Sequence, residues 1–394
     1  MVKRNDGTNK DLMRTATEVV LAGRDPSEQH GFVNTPIYRG STVLSPTVAD
    51  FVGKKGRYLY GRRGTPTTDA LAQAITRLEG GAGTALVSSG LSAITTALMS
   101  VVRSGDHVLV ADAVYGPTRN FCDTLLSGFG AEVTYYDPLL GAKIADLFRP
   151  NTRAVFLESP GSLSFEMQDV PAIAEIARAR GAAVLMDNTW ATPLFFRAHD
   201  FGVDLSIQAG TKYLGGHADA NLGTISATEQ YWPQVKETTG SLGLNPGPED
   251  AFLMMRGLRT LSVRLDRHME SGLKVAHWLE GRPEVLRVLH PALPSHPQHA
   301  LWKRDFTGAC GLFSVVLKPK PQAAVNAFID ALELFGIGAS WGGYESLIIP
   351  FDCTKLRTAT PWKPGGPTVR LHIGLEDPDD LIADLEQGLQ RLSS

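Results

Sequence analysis

From Thr67 to about Ile207 the chain alternates short apolar runs with helical stretches, and this alternation restricts the fold more than any other feature. The runs fall at Thr84–Val87, His107–Ala111, Glu132–Tyr135, Ala154–Leu157, Ala182–Met186 and Val203–Ile207. Strands separated by helices pair in parallel, which predicts an α/β fold with a mostly parallel central sheet sandwiched by helices. One unit carries its own punctuation. Asp169 is placed to cap a helix, Pro171 sits in its first turn, Ile173, Ile176 and Ala177 form an apolar stripe, and Gly181 ends it. The strand that follows delivers Asp187 at its carboxyl end, the edge where open parallel sheets bind ligands.

The flanks are less regular. Residues 1–62 read as an arm with little pattern, ending in the basic, aromatic run Tyr58–Arg63. A long amphipathic stretch over about Pro248–Glu280 leads into a second region, with strands expected at Leu312–Leu317 and Val369–Ile373. Helices are expected at about Gln322–Phe335 and from Pro378 onward. The expected organisation is therefore an arm (1–62), a first domain (63–255) and a smaller C-terminal α/β domain (256–394).

Composition narrows the functional classes. The 394 residues carry 38 Lys+Arg against 41 Asp+Glu, and 43% are hydrophobic. A net charge of −3 gives no electrostatic footprint for nucleic acid or an anionic membrane as partner. Cys122, Cys310 and Cys353 lie far apart, as expected in a reducing cytoplasm and not in a disulfide framework or zinc site. The run Val19–Ala22 is too short for a signal-peptide core. Gly80–Val102 lacks charge over a membrane-spanning length, but its glycines, serines and threonines suit a strand, a turn and a buried helix better than lipid.

The strongest local site is Gln208-Ala209-Gly210-Thr211-Lys212-Tyr213-Leu214-Gly215-Gly216-His217. A lysine directly after a buried strand can form a Schiff base if its pKa is lowered; it reads equally as a loop lysine at a glycine-rich turn. Asp187, one strand earlier, tips that balance. Pyridoxal phosphate chemistry needs a carboxylate facing the pyridine nitrogen as well as a lysine. Ser88-Ser89-Gly90-Leu91 then offers a helix N-terminus for a phosphate, or simply a strand-to-helix turn.

Competing motifs fail. No P-loop occurs, and Leu86 stands where the third glycine of a dinucleotide fingerprint belongs. Gly338-Ala339-Ser340-Trp341-Gly342 matches a hydrolase pattern, but turn and strand follow it, not helix. His217, His268 and His372 show no ligand spacing, so no metal is expected.

Seven blocks, in order, resemble the cysteine/methionine-metabolism family of pyridoxal phosphate-dependent enzymes. They are Tyr60-Gly61-Arg62-Arg63-Gly64-Thr65, Glu158-Ser159-Pro160-Gly161-Ser162, Asp187-Asn188-Thr189-Trp190, Thr211-Lys212-Tyr213-Leu214, Arg256-Gly257-Leu258-Arg259-Thr260, Ser340 to Ser346, and Val369 to Gly374. The resemblance spans nearly the whole chain and implies the aspartate-aminotransferase type of fold, fold type I of these enzymes. It implies that Lys212 holds the cofactor and moves protons, and that Asp187 pairs with the ring nitrogen. Tyr115 would stack on the ring, while Gly90, Leu91 and Thr211 would bind the phosphate. Tyr60 and Arg62 would reach a neighbouring subunit's cofactor, within a tetramer of two active dimers. Arg370 would grip the substrate carboxylate, with Ser340 and Trp341 lining the substrate side. Tyr60 or Tyr115 would assist the proton transfers.

Ser162 and Trp341 resemble the branch that breaks the β carbon–sulfur bond of L-cystathionine, an amino-acid thioether. Ala209 departs from the serine found there in many relatives, which removes one phosphate hydrogen bond. The alternatives are γ-chemistry, as a γ-lyase or γ-synthase, or a non-catalytic regulatory role. The intact set Asp187, Lys212 and Arg370 speaks against the last.

Overall fold

The computed structural model describes residues 13–392; Met1–Leu12, the polar start of the expected arm, lie outside the described residues. Twelve strands are described. The first seven are β1 (Gly83–Val87), β2 (His107–Ala111), β3 (Glu132–Tyr136), β4 (Thr152–Glu158), β5 (Ala183–Asp187), β6 (Leu205–Ala209) and β7 (Gly223–Ala227). They form one sheet in the order β1-β7-β6-β5-β4-β2-β3. All its pairings are parallel except those of β7, which runs antiparallel between β1 and β6.

The six expected strands are present within one or two residues at each end. β7 was not expected, because Gly223-Thr224-Ile225-Ser226-Ala227 has no apolar run. Its Gly223 is needed for another reason: a Cβ there would collide with the Ser89 carbonyl. The strand thus lies tight against the turn that opens the helix Gly90–Val101.

The helices stop where local chemistry stops them. Pro66–Glu79 opens with a capping box between Thr65 and Thr68 and ends at Gly80 with φ +74°. Asp169 caps Val170–Ala179 through the Ala172 N–H, as its position suggested. The stretch Pro248–Glu280 is not one helix but two, Pro248–Leu258 and Leu261–Glu280. The break lets Arg264, from the second helix, donate to the carbonyls of Gly257 and Tyr213, each at 2.8 Å.

The second sheet contains β8 (Val285–Leu289), β9 (Leu312–Leu317), β10 (Gly336–Ile337), β11 (Leu347–Phe351) and β12 (Thr368–His372), in the order β10-β11-β12-β9-β8. It is antiparallel apart from β10–β11. The helix Gln322–Asp330 is shorter than expected, and Pro378–Leu389 begins where the sequence placed it. Each sheet has its own apolar core, centred on residues such as Val110, Phe156 and Leu185 in one and Phe313, Val315 and Leu371 in the other. No helix among the described residues is long and apolar enough to cross a membrane; Gly80–Val102 is a strand, a turn and a helix.

The lysine loop is clamped from below. A Cβ on Gly257 would run into the carbonyls of Leu214 and Gly215. Gly257→Ala should therefore cost about 1–3 kcal/mol by overpacking, read as a lower urea midpoint at unchanged m. An unchanged midpoint would show that this seam has slack.

Candidate active site

β4, β5 and β6 end side by side, with Glu158 opposite Asp187 and Asp187 opposite Ile207. This edge gathers the charged groups. The Asp187 carboxylate accepts from the Thr189 N–H at 3.0 Å and the Thr189 hydroxyl at 2.5 Å. Burial pushes its pKa up, against the pull of Thr189 and the Lys212 charge. Glu158 is driven well above the carboxylate range, by burial first and then by the Asp187 charge, although it accepts the Tyr115 N–H at 2.7 Å. Burial thus raises both carboxyls, and Glu158 further, because the Asp187 charge adds to its burial while Thr189 and Lys212 hold Asp187 back.

Lys212 is three residues beyond β6. Its Nζ donates to Ser340 Oγ at 2.7 Å and lies 5.4 Å from the Trp341 ring centroid. Burial and then the Arg370 charge lower its pKa to about 8, with Asp187 pulling the other way. Arg370, on β12, is buried and donates through Nη2 to the carbonyls of Ala339 and Ser340, both at 3.0 Å. It has no carboxylate partner among the described residues. Its remaining fork is suited to a carboxylate from outside.

Gly342 completes this side, at φ +82°. A Cβ there would sit 2.9 Å from the Tyr213 nitrogen and 3.1 Å from the Lys212 Cα. The turn carrying Ser340 and Trp341 is thus pressed onto the lysine. It leads into β11, not into a helix, so the Gly-x-Ser-x-Gly pattern makes no nucleophile elbow.

The opposite end is the start of the helix Gly90–Val101. Ser89 caps the Ser92 N–H at 3.1 Å, while the N–H groups of Gly90 and Leu91 have no acceptor among the described residues. Gly90 packs so closely on Ala209 that a Cβ would clash. The Thr211 hydroxyl makes only long contacts, 3.3 Å to the Leu222 N–H and carbonyl. Tyr115, 45% exposed, feels the charges of Glu158, Asp187 and Arg370. These groups fit pyridoxal phosphate: a helix N-terminus with free donors for its phosphate, a half-buried carboxylate with no ion-pair partner among the described residues for its ring nitrogen, and an amine of lowered pKa.

Tyr60 and Arg62 do not join this cluster within the chain. Arg62 donates to the Gly240 carbonyl at 3.0 Å, and both residues line a separate cavity of about 920 Å³ between the arm and the helices Pro66–Glu79 and Trp232–Ser241. Glu158 and Thr189 belong to the site but received no role from sequence. Their signals were a strand-end carboxylate in register with Asp187 and a threonine two residues after it. His268 and His372, which lack ligand spacing, do meet in space, with centroids 5.2 Å apart. Burial lowers the pKa of His268 to about 4 and puts His372 well below its usual range. Both are therefore neutral packing groups around Tyr213.

Known proteins resemble this chain along nearly its whole length. A cystathionine β-lyase of Escherichia coli is 46% identical over 387 residues, covering 95% of this chain and 98% of that protein. A cystathionine β-lyase of Salmonella typhimurium is 45% identical over 390 residues, covering 95% and 98%. Among solved structures, a cystathionine γ-synthase of Xanthomonas oryzae pv. oryzae, in complex with aminoacrylate and cysteine, superposes with a TM-score of 0.90 at 34% identity. It covers 97% of this chain and 99% of that one. The pattern of the Cys/Met metabolism PLP-dependent enzymes matches residues 16–390, and the chain belongs to that family.

Proposed function

We propose that this chain catalyses the β-elimination of L-cystathionine to L-homocysteine, pyruvate and ammonia. The observation that carries this reading is the Lys212 amine, lowered to a pKa of about 8 between Asp187 and an unpaired Arg370. Two cystathionine β-lyases are about equally similar to it along nearly their whole length. Ser162 and Trp341 resemble the β-lyase branch of the family, which favours β- over γ-chemistry.

Bound pyridoxal phosphate supplies the electron sink for charge developing at Cα. The chain supplies the rest. Gly90, Leu91 and Thr211 hold the phosphate, Tyr115 packs on the ring, and Asp187 faces the ring nitrogen. Arg370 binds the substrate α-carboxylate, with Ser340 and Trp341 along the substrate side. Lys212 takes the Cα proton, and the hydroxyl of Tyr60 or Tyr115 assists its transfer to the leaving sulfur. Residues 63–255 form the cofactor-binding unit and 256–394 the smaller unit, in keeping with the two sheets and their two cores.

The active form is a homo-oligomer, a tetramer of two active dimers, in which Tyr60 and Arg62 reach the neighbouring subunit's cofactor phosphate. The arm supports this, for Leu44, Val48 and Phe51 are 88%, 79% and 72% exposed. A cytoplasmic location agrees with three buried, unpaired cysteines.

The decisive assay is the keto acid formed from L-cystathionine. Pyruvate with homocysteine supports the reading, and 2-oxobutyrate with cysteine sinks it. Lys212→Ala should lower turnover by at least about 10³-fold, because it removes the acid–base group. The amine itself can be titrated in cofactor-free protein by competitive acylation. Reactivity should rise through a midpoint near about 8 as the proton leaves, well below the ordinary value of 10.5. Arg370→Gln should move that midpoint up; a midpoint near 10.5 in the unmutated protein would contradict the burial of Lys212. Mixing inactive Lys212→Ala with inactive Arg62→Ala under subunit exchange should restore about a quarter of the activity, since hybrid dimers hold one intact site. No recovery would place Arg62 in its own subunit's site.

A further inference from the structure

Asp112 follows β2 and stands three residues before Tyr115. Its side chain is fully buried, and donors converge on it from the helix that follows and from a segment some 245 residues away. Arg119 Nη2 reaches Oδ1 at 2.5 Å, and Arg357 Nε reaches Oδ2 at 2.9 Å. The backbone N–H groups of Thr358, Ala359 and Thr360 each donate to the carboxylate at 3.0 Å. Burial pushes this carboxyl up, but the Thr358 and Thr360 donors and Arg357 outweigh it and hold it below its ordinary value. Arg357, itself 4% exposed, turns its other edge on Glu166, at 2.8 and 3.1 Å. Two cations and two anions thus close on each other.

A buried ion network is weak ground for a claim about stability, because desolvation cancels much of its attraction. What this one does is join three segments: the turn after β2, the loop Ser162–Glu166, and the segment Arg357–Thr360 beyond β11. The turn after β2 is held at four successive residues. Asp112 is held by the network, and the Ala113 carbonyl accepts the Ser162 N–H at 2.8 Å. The Val114 N–H donates to the Ala111 carbonyl at 3.2 Å, and the Tyr115 N–H to Glu158. Arg119 closes the circuit from the far side. Its N–H donates to the Tyr115 carbonyl at 3.2 Å, and its guanidinium lies 3.5 Å from the Tyr135 ring centroid. Tyr115 therefore projects a half-exposed ring from a backbone fixed on both sides.

We propose that Asp112 is a positioning residue, which sets the Tyr115 ring against the bound cofactor and locks the Arg357–Thr360 segment onto the turn after β2. This rests on the role given to Tyr115 under the proposed function. A network serving only stability could be replaced by apolar packing without effect on the ring. A positioning network could not, because its geometry is what places the tyrosine.

The test uses the holoenzyme of Asp112→Asn, which keeps the shape and loses the charge. The readouts are the circular dichroism of the cofactor band, kcat and KM for L-cystathionine, and the melting temperature. Expected are a weakened or altered cofactor band and a kcat lower by about 10²-fold, the scale for a misplaced active-site group, with KM changed much less. Unaltered cofactor dichroism and kcat, with only a lower melting temperature, would overturn the proposal. Should Asp112→Asn fail to fold, Arg357→Lys decides, since it keeps the charge but cannot fork between Asp112 and Glu166. The same loss of cofactor dichroism and kcat is expected, and their retention overturns the proposal. Unmutated protein that binds the cofactor yet releases no pyruvate would sink the proposed reaction and leave the dichroism result standing.

Discussion

The Thr189 hydroxyl joins the two residues on which the proposed chemistry turns. It donates to Asp187 and accepts the Ala209 N–H at 2.9 Å, so the carboxylate at the end of β5 and the loop leaving β6 share one atom. Lys212 is three residues along that loop, and its backbone is then trapped between Gly342 above and the Gly257 helix below. The distance between the carboxylate and the amine is thus a property of the sheet edge. Loops as mobile as ordinary surface connections could not hold it.

The electrostatics follow from the same edge. Burial shifts Glu158, Asp187, Lys212 and Arg370 away from their charged forms, and neighbouring charges then act on three of them: Asp187 on Glu158, Lys212 on Asp187, and Arg370 and Asp187 on Lys212. Burial and then the Asp187 charge push Glu158 up, while Thr189 and the Lys212 charge hold Asp187 back against its own burial. Arg370 then lowers Lys212 more than Asp187 raises it. The consequence is an amine that loses its proton readily beside a cation with a free fork. A substrate that brings a carboxylate to Arg370 neutralises the charge that had depressed the lysine, so binding and proton affinity are coupled at this site.

What could be read in advance depended on range. Strands buried on both faces announce themselves by continuous apolar runs, so β1, β2 and β4 to β6 were legible, and with them Asp187 and Lys212 at or just beyond their ends. β7 was not, because it is built of small residues and exists to fill the space between β1 and β6. The break between Leu258 and Leu261 was also hidden. Both halves keep an amphipathic pattern, and only the contact of Arg264 with Tyr213, 51 residues away, requires the interruption. The Asp112–Arg357 bond spans 245 residues and leaves no local trace at all.

The arm shows how an unfinished surface and an unfinished site can have one cause. Alone, the chain leaves Phe32, Leu44, Val48, Phe51 and Val52 in water, a cost that a monomer has no reason to bear. The same segment carries Tyr60 and Arg62, which find no place around Lys212 within the chain. The helix start at Gly90, meanwhile, has backbone donors for an anion, the N–H groups of Gly90 and Leu91, with no acceptor among the described residues. In the proposed dimer, a second copy would cover the apolar arm and deliver Arg62 to that helix start, and so would resolve both deficits in a single contact. Assembly and the completion of the phosphate site would then be the same event, and a subunit that lost the interface would lose its cofactor grip with it.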